Sequence, residues 1–314
     1  MDLTYLLWLQ DFRNAIDNAL TPFMEGVSLF GVHEILLLPV FVYWCLDKRK
    51  GLFSFFALKI SHTINSIVKL TACIYRPWIR EPKIIPAGDS IKTAGGYSFP
   101  SGHTMMSVPI YGTLAVSFAN KFLRLIFVLA IFLTMFSRNY LGVHTPQDVL
   151  VGLVLGISAI YIAQKVLDYL DKHPEKDSLV MLICGAAGIL TLIYVTYKPY
   201  PMDYVDGKLL VDPVKMQIDA WGDSGGLTAF ALMWYIESRF VKFTPTGWNV
   251  KGVIFCVLGL IPIYWAVNNL NRTMAVFIGP HYGKLAGQTI LYFYIMVLWP
   301  SVLKIVKKFE KQKS

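Results

Sequence analysis

Three short runs of this sequence carry residues able to hold a phosphoryl group and attack its phosphorus. They are Lys69 with Arg76-Pro77, Pro100-Ser101-Gly102-His103, and Ser137-Arg138 followed by His144 and Asp148. Between them they supply three cations, two histidines, a carboxylate and a glycine at a helix start. Arginine offers a planar fork suited to two phosphate oxygens, while lysine acts as a point charge. Lys69 and Arg76 are seven positions apart, two helical turns, so both are expected on one face of a single helix that Pro77 ends. Ser101 can cap a helix and donate its hydroxyl. The free N–H groups of that helix start form an anion site, which Gly102 lets a phosphate approach closely. Thr145-Pro146-Gln147-Asp148 reads as the cap and first turn of a further helix. An acid at the third position lies close to the residue before the cap, so Asp148 can accept from one ring nitrogen of His144 and leave the other aimed at phosphorus.

The segments that carry these runs are apolar. Hydrophobic residues make up 55% of the 314 positions and charged ones 16%, with a mean hydropathy of +0.51. Soluble domains hold roughly a quarter of their residues as charges, and apolar stretches of about 18 residues or more cross a bilayer as helices. We therefore expect an all-α, polytopic transmembrane helix bundle. Its spans fall near 29–46, 52–75, 103–119, 124–141, 147–167, 178–197, 224–240, 251–269 and 285–303, eight or nine in all. The net charge of +9 is spread over helix ends and forms no single patch, which excludes nucleic acid as a partner. Cys45, Cys73, Cys184 and Cys256 lie in apolar segments without metal-ligand spacing. Residues 1–28 carry acids where a signal peptide carries bases. Leu9, Phe12, Ile16 and Leu20 recur at helical spacing, so an amphipathic surface helix is expected there, lying on the membrane or packed on the loops.

All three motifs, in this order and inside apolar segments, resemble the type 2 phosphatidic acid phosphatase superfamily, which shares its motifs with vanadium-dependent haloperoxidases. The resemblance runs from Lys69 to Asp148. It implies a six-helix catalytic core, here placed at 29–200, with 201–314 as a C-terminal membrane extension. It also implies residue roles: His144 as the nucleophile of a phosphohistidine intermediate, His103 as the acid that protonates the departing oxygen, and Asp148 as the partner that orients His144. Lys69, Arg76, Ser101, Gly102 and Arg138 would bind phosphate. No carboxylate cluster near the motifs suggests a metal, and no cofactor is expected, because fixed cations can do what magnesium does elsewhere. The implied activity is hydrolysis of the terminal phosphate of a lipid phosphate or diphosphate. A phosphotransferase using the same phosphohistidine, and a non-catalytic transporter or scaffold, stay open as alternatives. Undecaprenyl diphosphate, phosphatidylglycerol phosphate, phosphatidate and sphingoid-base phosphates are the candidate substrates. Membrane lipids are the expected surroundings, and a homodimer is left open.

Four further features are read from the residues. Lys59, His62, Asn65 and Ser66 continue the face of Lys69 inward as a polar stripe, read as a hydrogen-bonded interior. Glu34 beside His33 is read as interfacial. The loop 78–99, broken by Pro82, Pro86, Gly88, Gly95 and Gly96, is a candidate lid or substrate rim. Ser224-Gly225-Gly226 and the Arg272/His281 pair faintly echo the motifs, but they lack the histidine and the spacing, and a structural extension shaping the lipid groove is the safer reading. The tail, Lys311-Gln312-Lys313-Ser314, holds no eukaryotic retrieval signal, so a bacterial cytoplasmic membrane is expected.

Lysine and arginine set the orientation: sixteen lie on one set of loops and the tail, eleven on the other set and the N-terminal segment. The poorer side is the motif side, which places the site outside. A cysteine at Lys92 should then react with a membrane-impermeant thiol reagent on intact cells, and one at Lys172 only after permeabilisation. The reverse pattern would put the site on the cytoplasmic face.

Overall fold

The computed structural model describes residues 2–31 and 34–311, so His33 and the tail beyond 311 lie outside the described residues. Within them the chain is helical except for loops and one short hairpin, β1 (Tyr204–Val205) with β2 (Lys208–Leu209). The helices run in order as α1 (Asp2–Ala15), α2 (Thr21–Phe30), α3 (Leu37–Phe41), α4 (Lys48–Ala72), α5 (Pro77–Arg80), α6 (Gly102–Ser117), α7 (Lys121–Tyr140), α8 (Pro146–Lys172) and α9 (Asp177–Tyr197). They continue with α10 (Pro213–Ile236), α11 (Val250–Ile278), α12 (Pro280–Phe293) and α13 (Trp299–Lys311). This is an all-α bundle, and five stretches (121–140, 146–172, 174–197, 250–278 and 280–307) are long and apolar enough to cross a membrane.

The other expected spans differ, for physical reasons. The first, near 29–46, is divided: α2 ends at Phe30, and a short apolar helix resumes at Leu37 and closes in a wider turn at Val42–Leu46. α4 is 25 residues long but threads Lys59, His62, Asn65 and Lys69 through the bundle interior, so its polar groups face protein and not lipid. α10 begins at Pro213, well before the apolar run near 224. Asp212 caps it by accepting from the Val214 N–H at 2.9 Å, and Pro213 takes the first helical position. Its first turns carry the exposed Lys215 and the cavity-lining Asp219, so they escape a hydropathy reading.

Close helix contact holds the motif-bearing elements in register. Gly152 and Gly156, one turn apart on α8, face α6. A Cβ at Gly156 would lie 2.8 Å from Val108 Cβ, and one at Gly152 would lie 3.1 Å from Thr104 Cβ. Small residues spaced this way let membrane helices approach backbone to backbone, and Ala159 and Ala163 extend the buried face. At the far end of the bundle an aromatic core fastens the C-terminal helices to α4. Phe56 stacks on Phe230 at 5.9 Å, Phe230 meets Tyr292 at 5.7 Å, and Trp44 donates its indole N–H to the Ile295 carbonyl at 2.7 Å. Glu237, 1% exposed, is matched there by Lys48 at 2.6 Å.

α1 lies against the loop after α5. Leu6 and Leu9 pack on Ile84, and Gln10 bonds the backbone of Lys83 and Ile85 at 3.0 and 2.7 Å. Trp8 and Phe12 stack on its opposite, exposed side. The amphipathic helix therefore rests one face on the loops and leaves an apolar face outward.

Replacing Gly156 by Val would force α6 and α8 apart. Overpacking of this kind costs about 1–3 kcal/mol, so the detergent-solubilised variant should melt several degrees lower. An unchanged melting temperature would show that the two helices separate freely.

Candidate active site

The C-terminal end of α4, the N-terminus of α6, the C-terminal end of α7 and the N-terminus of α8 meet at one end of the bundle. There Lys69, Arg76, Gly102, His103 and His144 line a single cavity of about 330 Å³. Ser101, Arg138 and Asp148, all buried, stand behind its wall.

Arg76 is not on the helix of Lys69, contrary to the seven-residue spacing. α4 stops at Ala72, and Cys73 takes a left-handed conformation (φ 48°). Arg76 is extended, as a residue before proline tends to be, and Pro77 opens α5 instead of closing α4. The break carries the guanidinium into the gap between two loops. Its Nη1 donates to the Val143 carbonyl at 2.9 Å and to His144 Nε2 at 2.8 Å, while Nε and Nη2 reach the Gly96 and Gly95 carbonyls at 3.1 and 3.2 Å. Arginine only donates, so Nε2 accepts and the ring proton of His144 sits on Nδ1. That proton faces Asp148 Oδ2 at 3.2 Å.

The same Oδ2 accepts from the Thr145 N–H at 2.8 Å and from the Ser98 hydroxyl at 2.5 Å. Thr145 in turn caps α8, so the carboxylate completes a capping box and meets His144 at once. Asn139 holds the tight turn by donating to the His144 carbonyl at 2.9 Å, and Gly142 supplies its positive φ of 74°. Burial, and after it the Arg76 guanidinium, push the His144 imidazole well below the usual histidine range. Its Nε2 lone pair is therefore kept unprotonated.

Across the cavity, Ser101 caps α6 by accepting from the Thr104 N–H at 3.4 Å. A Cβ at Gly102 would meet nothing closer than Asn65 Nδ2 at 4.0 Å and would fill the space in front of the helix start. His103 Nε2 is buried there without a hydrogen-bond partner. Lys69 is engaged differently from a free phosphate ligand. Its ammonium donates to the carbonyls of Pro100 at 2.5 Å, Tyr97 at 3.2 Å and Ser98 at 3.4 Å, fixing the chain that leads into α6. It lends the cavity charge more than a free donor. Arg138 donates one nitrogen to the Ser28 hydroxyl of α2, leaving Nε and Nη2 buried and unpaired. Unpaired guanidinium nitrogens are costly in an interior and suit an anion. Among the described residues, no group of three or more His, Cys, Asp or Glu is placed to hold a metal ion.

Several contributors carried no sequence signal. Ser28 and Ser98 are single serines outside any motif, and their roles arise from contacts 110 and 50 positions away in the chain. Asp219, Asp223, Lys284 and Gln288, from α10 and α12, also line the cavity. Ser224-Gly225-Gly226, in contrast, lies inside α10, where a Cβ at Gly225 would meet Leu285 and one at Gly226 the Lys59 ammonium; it is a packing segment and not a helix start. Thr93 and Gly95 bring the loop 78–99 to the cavity mouth.

Residues 50–172, within this membrane helix bundle, match the PAP2 superfamily. Three curated relatives are similar to part of the chain. A probable sphingosine-1-phosphate phosphatase of Dictyostelium discoideum is 28% identical over 174 residues, covering 51% of this chain and 41% of that protein. Phosphatidylglycerophosphatase B of Bacillus subtilis is 24% identical over 166 residues, covering 50% of this chain and 74% of that one. A lipid A 4'-phosphatase of Bacteroides thetaiotaomicron is 34% identical over 65 residues, covering 21% and 29%. The match therefore spans less than half the length of the first and third of these relatives. No solved structure matches the chain.

Asp148→Asn keeps a capping side chain but replaces an oxygen facing His144 or removes its charge. By analogy with the aspartate of hydrolase triads, turnover should fall at least about a hundredfold with melting little changed. Near-normal turnover would reduce Asp148 to a helix cap.

Proposed function

We propose that this protein is a membrane phosphatase that releases the terminal phosphate of a lipid phosphate or diphosphate through a phosphohistidine on His144. The observation that carries this reading is the chain Arg76–His144–Asp148, with Nε2 unprotonated beside a guanidinium in the cavity that the helix start at Gly102 also lines. In the first step the Arg76 Nη1 donor passes from Nε2 to a phosphate oxygen, the freed Nε2 attacks phosphorus, a P–N bond forms and the P–O bond to the leaving group breaks. His103 delivers a proton to the departing oxygen. The imidazole gains positive character, which Asp148 balances. In the second step water attacks the phosphohistidine, gives its proton to His103, and phosphate leaves with Nε2 restored. Arg76, Arg138, the charge of Lys69 and the N–H groups of α6 stabilise the five-coordinate phosphorus. These fixed donors support a metal-independent reaction. The names of the relatives support a lipid phosphate as substrate, and the lysine and arginine distribution supports a site at the outer face of a bacterial cytoplasmic membrane.

The test is phosphate release by the purified full chain from phosphatidate, phosphatidylglycerol phosphate, a sphingoid-base phosphate and undecaprenyl diphosphate, with and without a chelator. His144→Ala should lower turnover at least about a thousandfold while leaving the protein folded. Wild type should yield an acid-labile, alkali-stable phosphoenzyme. Substantial activity in His144→Ala would remove the nucleophile assignment, and activity lost to the chelator and restored by magnesium would remove the metal-independent mechanism.

A further inference from the structure

The cavity does not end at the phosphate motifs. It continues along α4 from Lys69 to His62, seven residues or about 10 Å deeper along the helix axis, and there its far wall comes from the C-terminal helices. Asp219 and Asp223, one turn apart on α10, keep 48% and 36% of their side-chain surface open. The polar groups of this region are tied across three helices. Lys284 of α12 meets Asp219 of α10 at 2.9 Å, Lys59 of α4 donates to Gln288 of α12 at 3.0 Å, and His62 of α4 stands 3.4 Å from Asp223. That last approach lacks hydrogen-bond geometry, and His62 Nδ1 is otherwise unpartnered. Asn65, 7% exposed and lining the cavity between the two regions, has a buried carbonyl oxygen with no hydrogen-bond partner.

This chemistry differs from that of the phosphate site. Lys69, Arg76 and Arg138 make one end strongly cationic, whereas here two carboxylates face two ammoniums and the charges cancel. An apolar chain lying against open carboxylates and amides would strip them of water without returning hydrogen bonds, a cost of order 1–3 kcal/mol for each group. A hydroxyl both donates and accepts, so several on one ligand match carboxylate acceptors, amides and cationic donors together.

We propose that the C-terminal helices build a second subsite that takes a polyhydroxylated group on the alcohol side of the scissile phosphate. The proposal rests on the phosphatase reading and narrows it: the preferred substrate is a polyol or sugar phosphate, either free or as a lipid headgroup. The subsite selects that alcohol while the motif residues carry out the transfer.

The test uses the purified full chain in detergent and two substrate pairs. Phosphatidylinositol phosphate against phosphatidate varies the hydroxyls on a lipid, and inositol phosphate against octyl phosphate varies them on soluble esters. Wild type should favour the hydroxyl-bearing member of at least one pair at least tenfold in kcat/KM, and the pair showing it identifies the lipid or the soluble source. Asn65→Leu and Gln288→Leu should each reduce that ratio at least fivefold, as a site built to bind hydroxyls does when it loses a partner. A wild-type ratio near one in both pairs overturns the proposal without any variant, as does a ratio unchanged in both variants. Faster release from octyl diphosphate than from every polyol ester overturns it too, because Lys59 and Lys284 would then serve a second phosphate. Failure to release phosphate from any of these esters would instead count against the phosphatase reading itself.

Discussion

Arg76 stands where every part of the site meets. Its guanidinium binds the Gly95 and Gly96 carbonyls on the loop before α6, the Val143 carbonyl on the turn before α8, and Nε2 of His144. A buried guanidinium needs its donors satisfied, and here that requirement draws two loops from different helix pairs onto one group. With Arg76 in place, the tautomer of His144 follows, and with the tautomer follows the use of Asp148. The helix break at Cys73 is what permits this. Had α4 continued to residue 76, the side chain would have stayed on a helix face two turns beyond Lys69.

The sequence was most legible where local chemistry decides structure. Capping at Thr145-Pro146-Gln147-Asp148 and at Ser101 follows from side chains acting on their own backbone within a few residues, and the helices begin there. Long apolar helices such as α7 and α9 announce themselves through composition. Less legible were helices whose polar turns line a cavity, as in the first turns of α10, because hydropathy records affinity for lipid and not a place beside an internal chamber. The placement of Arg76 was misjudged because spacing alone cannot report a left-handed residue at a non-glycine position. Ser28 and Ser98 could not be anticipated at all, since their partners are set only when distant segments pack together.

The C-terminal helices change the character of the bundle. Their aromatic contacts at the far end, Phe56 with Phe230 and Phe230 with Tyr292, hold them firmly against α4. At the near end the same helices present acids, amides and a lysine to the cavity. One wall of the chamber thus comes from the region that matches the PAP2 superfamily and the other from outside it. Changes on α10 and α12 can reshape what enters without touching the residues that handle phosphorus.

The docking of α1 has a consequence for how the molecule is made. Arg13, 3% exposed, donates to the carbonyls of Ile85 at 2.7 Å and Tyr140 at 3.0 Å, so its binding place does not exist until the chain has been synthesised through α7. α1 leaves the ribosome ahead of these partners, which lie 72 and 127 residues behind Arg13. During that interval its buried arginine and its leucine face have no protein to rest on. Trp8 and Phe12 stay exposed in the finished protein, and a membrane surface would give such an apolar face a place to wait. Assembly at this end therefore runs against the order of synthesis, with α1 closing over loops laid down after it.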